Sequence, residues 1–184
     1  MTLLIIGLLL FFGIHFVPAA PGLKQSLTDR LGANGYKGVF SLVSAAGLGL
    51  IIWGYSRAEF IAVYDPPLWG RHVTMLLVLM AFICLAAFDL KTRIKRLLQH
   101  PMLIGIILWG AGHLFANGDL ASVMMFGAFV AYGVADIQLA NAQGRVKESE
   151  VKPFHDLLAI VGGLVIYAVF IMIHPYVIGV PVIP

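Results

Sequence analysis

Six apolar runs follow one another along this chain with only short polar connections between them. A lipid interior offers the backbone no hydrogen-bond partner, so a spanning segment must satisfy its own N–H and C=O groups as a helix or within a closed barrel. Runs approaching about 20 apolar residues match the helical solution. They lie at residues 3–20, 39–55, 72–88, from Pro101 to the Asn117-Gly118-Asp119 turn, at 120–139 and at 157–173. The pattern predicts an all-α, polytopic membrane helical bundle of about six transmembrane helices. Composition agrees. Of 184 residues, 60% are apolar and only 11% charged, against roughly 25% charge in a soluble domain. Mean hydropathy is +0.95. Residues 1–184 are expected to form a single membrane domain with no separate soluble part. The N-terminal run lacks the preceding Lys or Arg of a secretory leader and is read as the first membrane helix.

Charge placement predicts orientation. Lys24, Arg30 and Lys37 follow the first run. Lys91, Arg93, Lys95 and Arg96 follow the third, and Arg145, Lys147 and Lys152 follow the fifth. The alternate connections are nearly neutral: Arg57, Glu59, Asp65 and Arg71 after the second run, and Asp119 after the fourth. The positive-inside rule then places both termini outside, which in a bacterial inner membrane means the periplasm. Basic residues distributed in this way are an orientation signal and not a nucleic-acid footprint. A single cysteine, Cys84, excludes an internal disulfide and reads as a small packing residue. The small residues Gly38, Ser41, Ser44, Ala45, Gly47 and Gly49, with Gly127, Ala128, Ala131 and Gly133, predict close helix packing.

Ionisable groups at membrane depth are costly and mark function. Of six histidines, His72, His100, His155 and His174 sit near the ends of runs, while His15 and His113 lie well inside theirs. Two imidazoles on different helices are a natural pair of axial haem ligands. A bare metal would need a third or fourth ligand. His113 lies ~18 Å beyond Pro101, and His15 ~21 Å beyond Met1. The helices enter from opposite faces of a ~30 Å core, which leaves an offset of ~9 Å. His72 or His174 is an alternative partner for His113, and His100 is a further, weaker ligand candidate. Asp119 reads as an N-cap, Asp65-Pro66-Pro67-Leu68-Trp69 as a rigid outer loop with an interfacial Trp, and Asp136 as a group that snorkels or pairs with a basic loop residue. Hydrolase, kinase and phosphate-loop motifs are absent. A transporter is disfavoured because no inverted repeat is evident.

Several residues carry a resemblance. Gly13-Ile14-His15 with Pro18 and Pro21, Arg30-Leu31-Gly32, Tyr36-Lys37-Gly38-Val39-Phe40-Ser41 and Pro66-Pro67-Leu68-Trp69-Gly70-Arg71-His72 resemble the NnrU family. So do His100-Pro101-Met102-Leu103, Trp109, His113-Leu114, Ala116-Asn117-Gly118-Asp119-Leu120-Ala121 and Phe126-Gly127. The match covers nearly the whole chain. Bacterial members are associated with nitrite and nitric oxide metabolism. A related branch, the zeta-carotene isomerases, uses haem b to isomerise a polyene. The haem-binding histidines of that branch correspond to His15 and His113. It also has a cysteine three residues before the later histidine, where this chain has Gly110. The resemblance thus implies a haem b protein, acting either as a cis–trans isomerase of an apolar polyene or in nitrogen-oxide metabolism. The alternative is a non-enzymatic accessory protein supporting denitrification reductases.

Overall fold

The structure is a computed structural model that describes residues 1–145 and 150–183; Lys147, counted above in a basic connection, lies outside the described residues. It consists of helices: α1 (Thr2–Phe16), a 3-10 turn (Val17–Ala19), α2 (Pro21–Ser56), α3 (Gly70–Ala87), α4 (Arg93–Leu98), α5 (Pro101–Leu114), α6 (Leu120–Ala142) and α7 (Pro153–Val177). Among the described residues the only extended pairing is an isolated bridge between Ala62 and Asp119. Five helices are long and apolar enough to cross a membrane, and α5 is a shorter apolar helix of 14 residues between them. The chain is an integral membrane protein built as a helical bundle.

Local chemistry sets the ends. Pro21, Pro101 and Pro153 occupy first-turn positions of α2, α5 and α7, where a missing N–H costs nothing and φ is already helical. Asp119 caps α6 by accepting the Ser122 N–H at 3.0 Å, and Thr92 caps α4 by accepting the Lys95 N–H at 2.8 Å. Two features depart from the hydropathy reading. α2 begins at Pro21 rather than near residue 39, and breaks at Gly32, whose φ of 72° lies in the left-handed region open to glycine. Its first segment carries Lys24, Asp29 and Arg30, so hydropathy is silent about it. The second basic connection, after the third run, likewise folds into the short α4.

Helix pairs are adjacent in the order α2, α1, α6, α5, α3, α7. Because lipid is as apolar as leucine, such contacts depend on dispersion and close approach. Glycines supply the approach. A Cβ on Gly7 would meet the backbone of Ile51 at 2.6 Å, and one on Gly47 the backbone of Phe11 at 2.8 Å. One on Gly54 would collide with Leu4. Gly163 plays the same part for α7 against Ile83 of α3. The predicted packing role thus holds for Gly47 and Gly133, while Gly38, Gly49 and Gly127 border open space. Cys84 is buried.

The basic connections gather at one end of the bundle. There Lys91 pairs with Glu150 at 2.6 Å and holds its carboxyl below the usual carboxylate range. Gln143 ties the end of α6 to the Ala19 carbonyl at 2.7 Å. At the opposite end the α2–α3 connection crosses over the α5–α6 turn. Val63 N–H donates to the Gly118 carbonyl at 2.8 Å and Leu120 N–H to Ile61 at 2.8 Å, and the Tyr64 hydroxyl donates to the Asn117 carbonyl at 2.8 Å. Arg71 Nε donates to the Val182 carbonyl at 2.6 Å, fastening the tail.

Candidate functional site

His15 and His113 each sit one residue before the end of their helices, α1 and α5. Both are half-buried. Each makes the same local bond: Nδ1 of His15 lies 2.6 Å from the Phe11 carbonyl, and Nδ1 of His113 lies 2.8 Å from the Trp109 carbonyl. A carbonyl only accepts, so the proton must be on Nδ1. In the neutral ring Nε2 then carries the lone pair, and it has no hydrogen-bond partner among the described residues. Fixing one ring nitrogen through a donated hydrogen bond is how metal-ligating histidines are oriented.

The residue that supplies each carbonyl also supplies a ring. Phe11 lies 4.2 Å from His15 and Trp109 lies 5.0 Å from His113, between ring centroids. Phe40 of α2 meets His15 edge-on at 5.2 Å, and Tyr132 of α6 does so at 6.0 Å. Phe126 stacks on His113 at 4.5 Å. α6 therefore presents Phe126, Phe129 and Tyr132 at three-residue intervals, with His113 at one end and His15 at the other. Six residues of helix separate the two levels by ~9 Å. Phe129 fills the middle, 5.8 Å from Phe11 and 5.3 Å from Trp109. The two imidazoles thus share one aromatic seam between the α1–α2 pair and α5–α6, but do not touch. The seam has a signal in the sequence that composition hides: an aromatic residue stands four positions before each deep histidine.

The other histidines are placed differently. His72 is exposed on the first turn of α3. The His100 Nε2–H donates to Asn141 Oδ1 at 2.8 Å, and His155 accepts the Lys91 N–H at Nδ1 at 3.1 Å. His174 donates from Nδ1 to the Val180 carbonyl at 2.6 Å. Nε2 of His174 has no hydrogen-bond partner among the described residues. Among the described residues no group of three or more His, Cys, Asp or Glu side chains is placed to hold a bare metal ion.

A family model described as NnrU protein matches residues 3–182. The chain belongs to the NnrU family. No curated protein and no solved structure matches it. In this NnrU protein several polar residues outside the histidines are engaged in hydrogen bonds or ion pairs within the bundle. The Tyr55 hydroxyl donates to Ser122 Oγ at 2.9 Å, and Ser122 in turn to Asp119. Asn117 Nδ2 donates to the His113 carbonyl at 2.8 Å, closing the end of α5. Asp136 pairs with Arg145 at 2.8 Å, the basic-loop partner expected of it. Two groups escaped sequence reading. The Tyr36 hydroxyl and Ser44 Oγ are buried without a hydrogen-bond partner. With Phe40 they occupy positions i, i+4 and i+8 of α2, the stripe that meets His15.

Proposed function

We propose that this NnrU protein binds haem b inside the membrane through His15 and His113, and that the bound haem serves nitrite and nitric oxide metabolism. The observation that carries the reading is the paired Nδ1–H to carbonyl bond, which leaves two Nε2 lone pairs on one aromatic seam. The residues present suit the group in two further respects. The seam walls are rings that pack against a flat macrocycle and exclude water, and the orphaned Tyr36 and Ser44 hydroxyls flank the His15 neighbour Phe40. Ligation of one iron by both histidines requires Phe11, Phe129 and Trp109 to turn aside. A bound haem supplies a one-electron couple tuned by its axial ligands and by burial. The chain supplies ligand orientation, through the two carbonyls, and a dry apolar enclosure.

Isomerisation of an apolar polyene, the activity of the related branch, is the second haem-dependent role. Gly110 counts against it. A Cβ there would stand 2.9 Å from the Phe126 carbonyl oxygen, so the position of the branch's cysteine is closed in this chain by the α5–α6 contact. A non-enzymatic role as an accessory to denitrification reductases is favoured by the connection between α2 and α3, where Phe60 is 81% and Leu68 99% exposed. That role predicts that replacing both deep histidines by Ala leaves nitrogen-oxide metabolism intact.

The deciding measurement is a visible spectrum of the purified protein, oxidised and reduced, after haem supplementation. A Soret band is expected, altered in position or lost in His15→Ala and in His113→Ala but unchanged in His72→Ala. A changed spectrum in His174→Ala with an unchanged one in His15→Ala would assign the second ligand to His174. Absence of any Soret band in the parent protein ends the haem reading.

A further inference from the structure

Helix α2 is longer than one span requires. Residues 33–56, beyond the break at Gly32, already give about 36 Å of helix, against a hydrocarbon core of about 30 Å. Residues 21–31, before the break, are free of that task, and they start at the basic end, where Gln143 ties the end of α6 to Ala19. Their own pattern is amphipathic. At about 100° per residue, Leu23, Leu27 and Leu31 fall within an arc of about 80°. Lys24 and Arg30 lie about 60° to either side of its centre, and Asp29 lies near the opposite face. Among the described residues no ion pair engages Lys24 or Arg30, whereas Asp29 accepts from Gln25 Nε2 at 2.7 Å along the polar face. The bundle leaves the stripe uncovered: Leu23 is 50% and Leu31 44% exposed.

An apolar stripe bordered by a cation on each flank, with its acid turned away, suits the surface of a bilayer. The leucines enter the acyl boundary while the ammonium and guanidinium groups snorkel to lipid phosphates. The chain already spans a membrane, and its basic end meets the headgroups of one leaflet, so this occupant is continuous with one the fold requires. On the Lys24 flank a cleft of about 440 Å³, lined by Pro18, Thr28 and Arg145 among others, leaves a headgroup room beside the ammonium. We propose that residues 21–31 form an interfacial helix that recruits anionic phospholipid at the basic end of the bundle. Gly32 is its joint, since the left-handed φ of 72° lets the segment leave the axis of the span.

The full chain, with its single cysteine removed by Cys84→Ala, is labelled with bimane at Leu23→Cys or at Asp29→Cys and placed in phosphatidylcholine nanodiscs. The quenchers are a shallow nitroxide on either phosphatidylglycerol or phosphatidylcholine, and acrylamide in the water. Nitroxide lipid is expected to quench position 23 more strongly than position 29, and acrylamide to do the reverse. At position 23 the phosphatidylglycerol form should act at about fivefold lower mole fraction than the phosphatidylcholine form, the factor that one cation at an anionic surface contributes. Lys24→Gln with Arg30→Gln should erase that preference while quenching by the phosphatidylcholine form persists, which shows the segment still folded on the surface. Lys24→Arg with Arg30→Lys should keep the preference. Equal lipid quenching at positions 23 and 29 overturns the proposal, as does a phosphatidylglycerol preference undiminished in the double Gln variant. Shielding of position 23 from both lipid and acrylamide would mean that protein, such as a second copy of the chain, covers the stripe, and the proposal falls.

Discussion

A carbonyl four residues back decides how each deep histidine presents itself, because it fixes the ring and chooses the tautomer at once. The same economy governs Tyr64 at the opposite end, whose hydroxyl donates to two helix-end carbonyls, those of Leu114 and Asn117. Burial, and then the carboxylate of Asp119, push its pKa above the ordinary value. The neutral phenol is therefore favoured by the fold. Its stabilisation is fully present below the usual tyrosine value of about 10 and is lost as pH rises through the higher folded value. Melting temperature measured between pH 8 and pH 11 should fall more steeply in the parent than in Tyr64→Phe; identical slopes would dissociate Tyr64 from the alkaline loss. Asp119 itself should cost about 1 kcal/mol when replaced by Ala, with Asn restoring most of it, since both oxygens can cap α6. Equal destabilisation by both substitutions in a denaturation series would show that its charge, not its cap, matters.

At the scale of elements, glycine decides which helices touch. Gly47→Val and Gly54→Val drive a branched side chain into the backbone of α1, and overpacking of this kind costs typically about 1–3 kcal/mol. Gly49→Val borders open space and should leave thermal stability in detergent unchanged; a comparable loss at Gly49 would mean that the α1–α2 register is different. Most of the spans were legible in the sequence because hydropathy reports what lipid demands of a helix. The first segment of α2 and α4 were not, because Lys24, Arg30, Arg93 and Lys95 erase the apolar signal while capping and helix propensity persist. The two deep histidines were legible for the same reason as the spans: a polar side chain inside an apolar run stands out. Their seam was not, since Phe129 standing between Phe11 and Trp109, or Tyr36 sharing a stripe with Phe40, depends on the register of one helix against another, which spacing along a single chain does not encode.

The whole molecule is organised by its two ends. The α1–α2 pair meets the rest of the bundle mainly through the rings of α6, so the aromatic seam is both the site and the joint. At one end of this joint lie the basic connections; at the other, the α2–α3 connection covers the α5–α6 turn and Arg71 holds the tail. Positive charge resists transfer across the membrane during insertion, which should leave the basic end cytoplasmic. Two exposed leucines report on the ends: Leu97, 79% exposed on α4 at the basic end, and Leu68, 99% exposed at the other. Cys84 is buried within α3, and Cys84→Ala removes it as a competing thiol with little change in packing. In that background, Leu68→Cys in intact bacterial cells should react with a membrane-impermeant maleimide, and Leu97→Cys only after the membrane is opened. The reverse pattern would invert the bundle and place the basic connections outside. Labelling of both cysteines in intact cells would mean that the two ends do not lie on opposite sides of a bilayer, and the membrane-spanning arrangement itself would have to be abandoned.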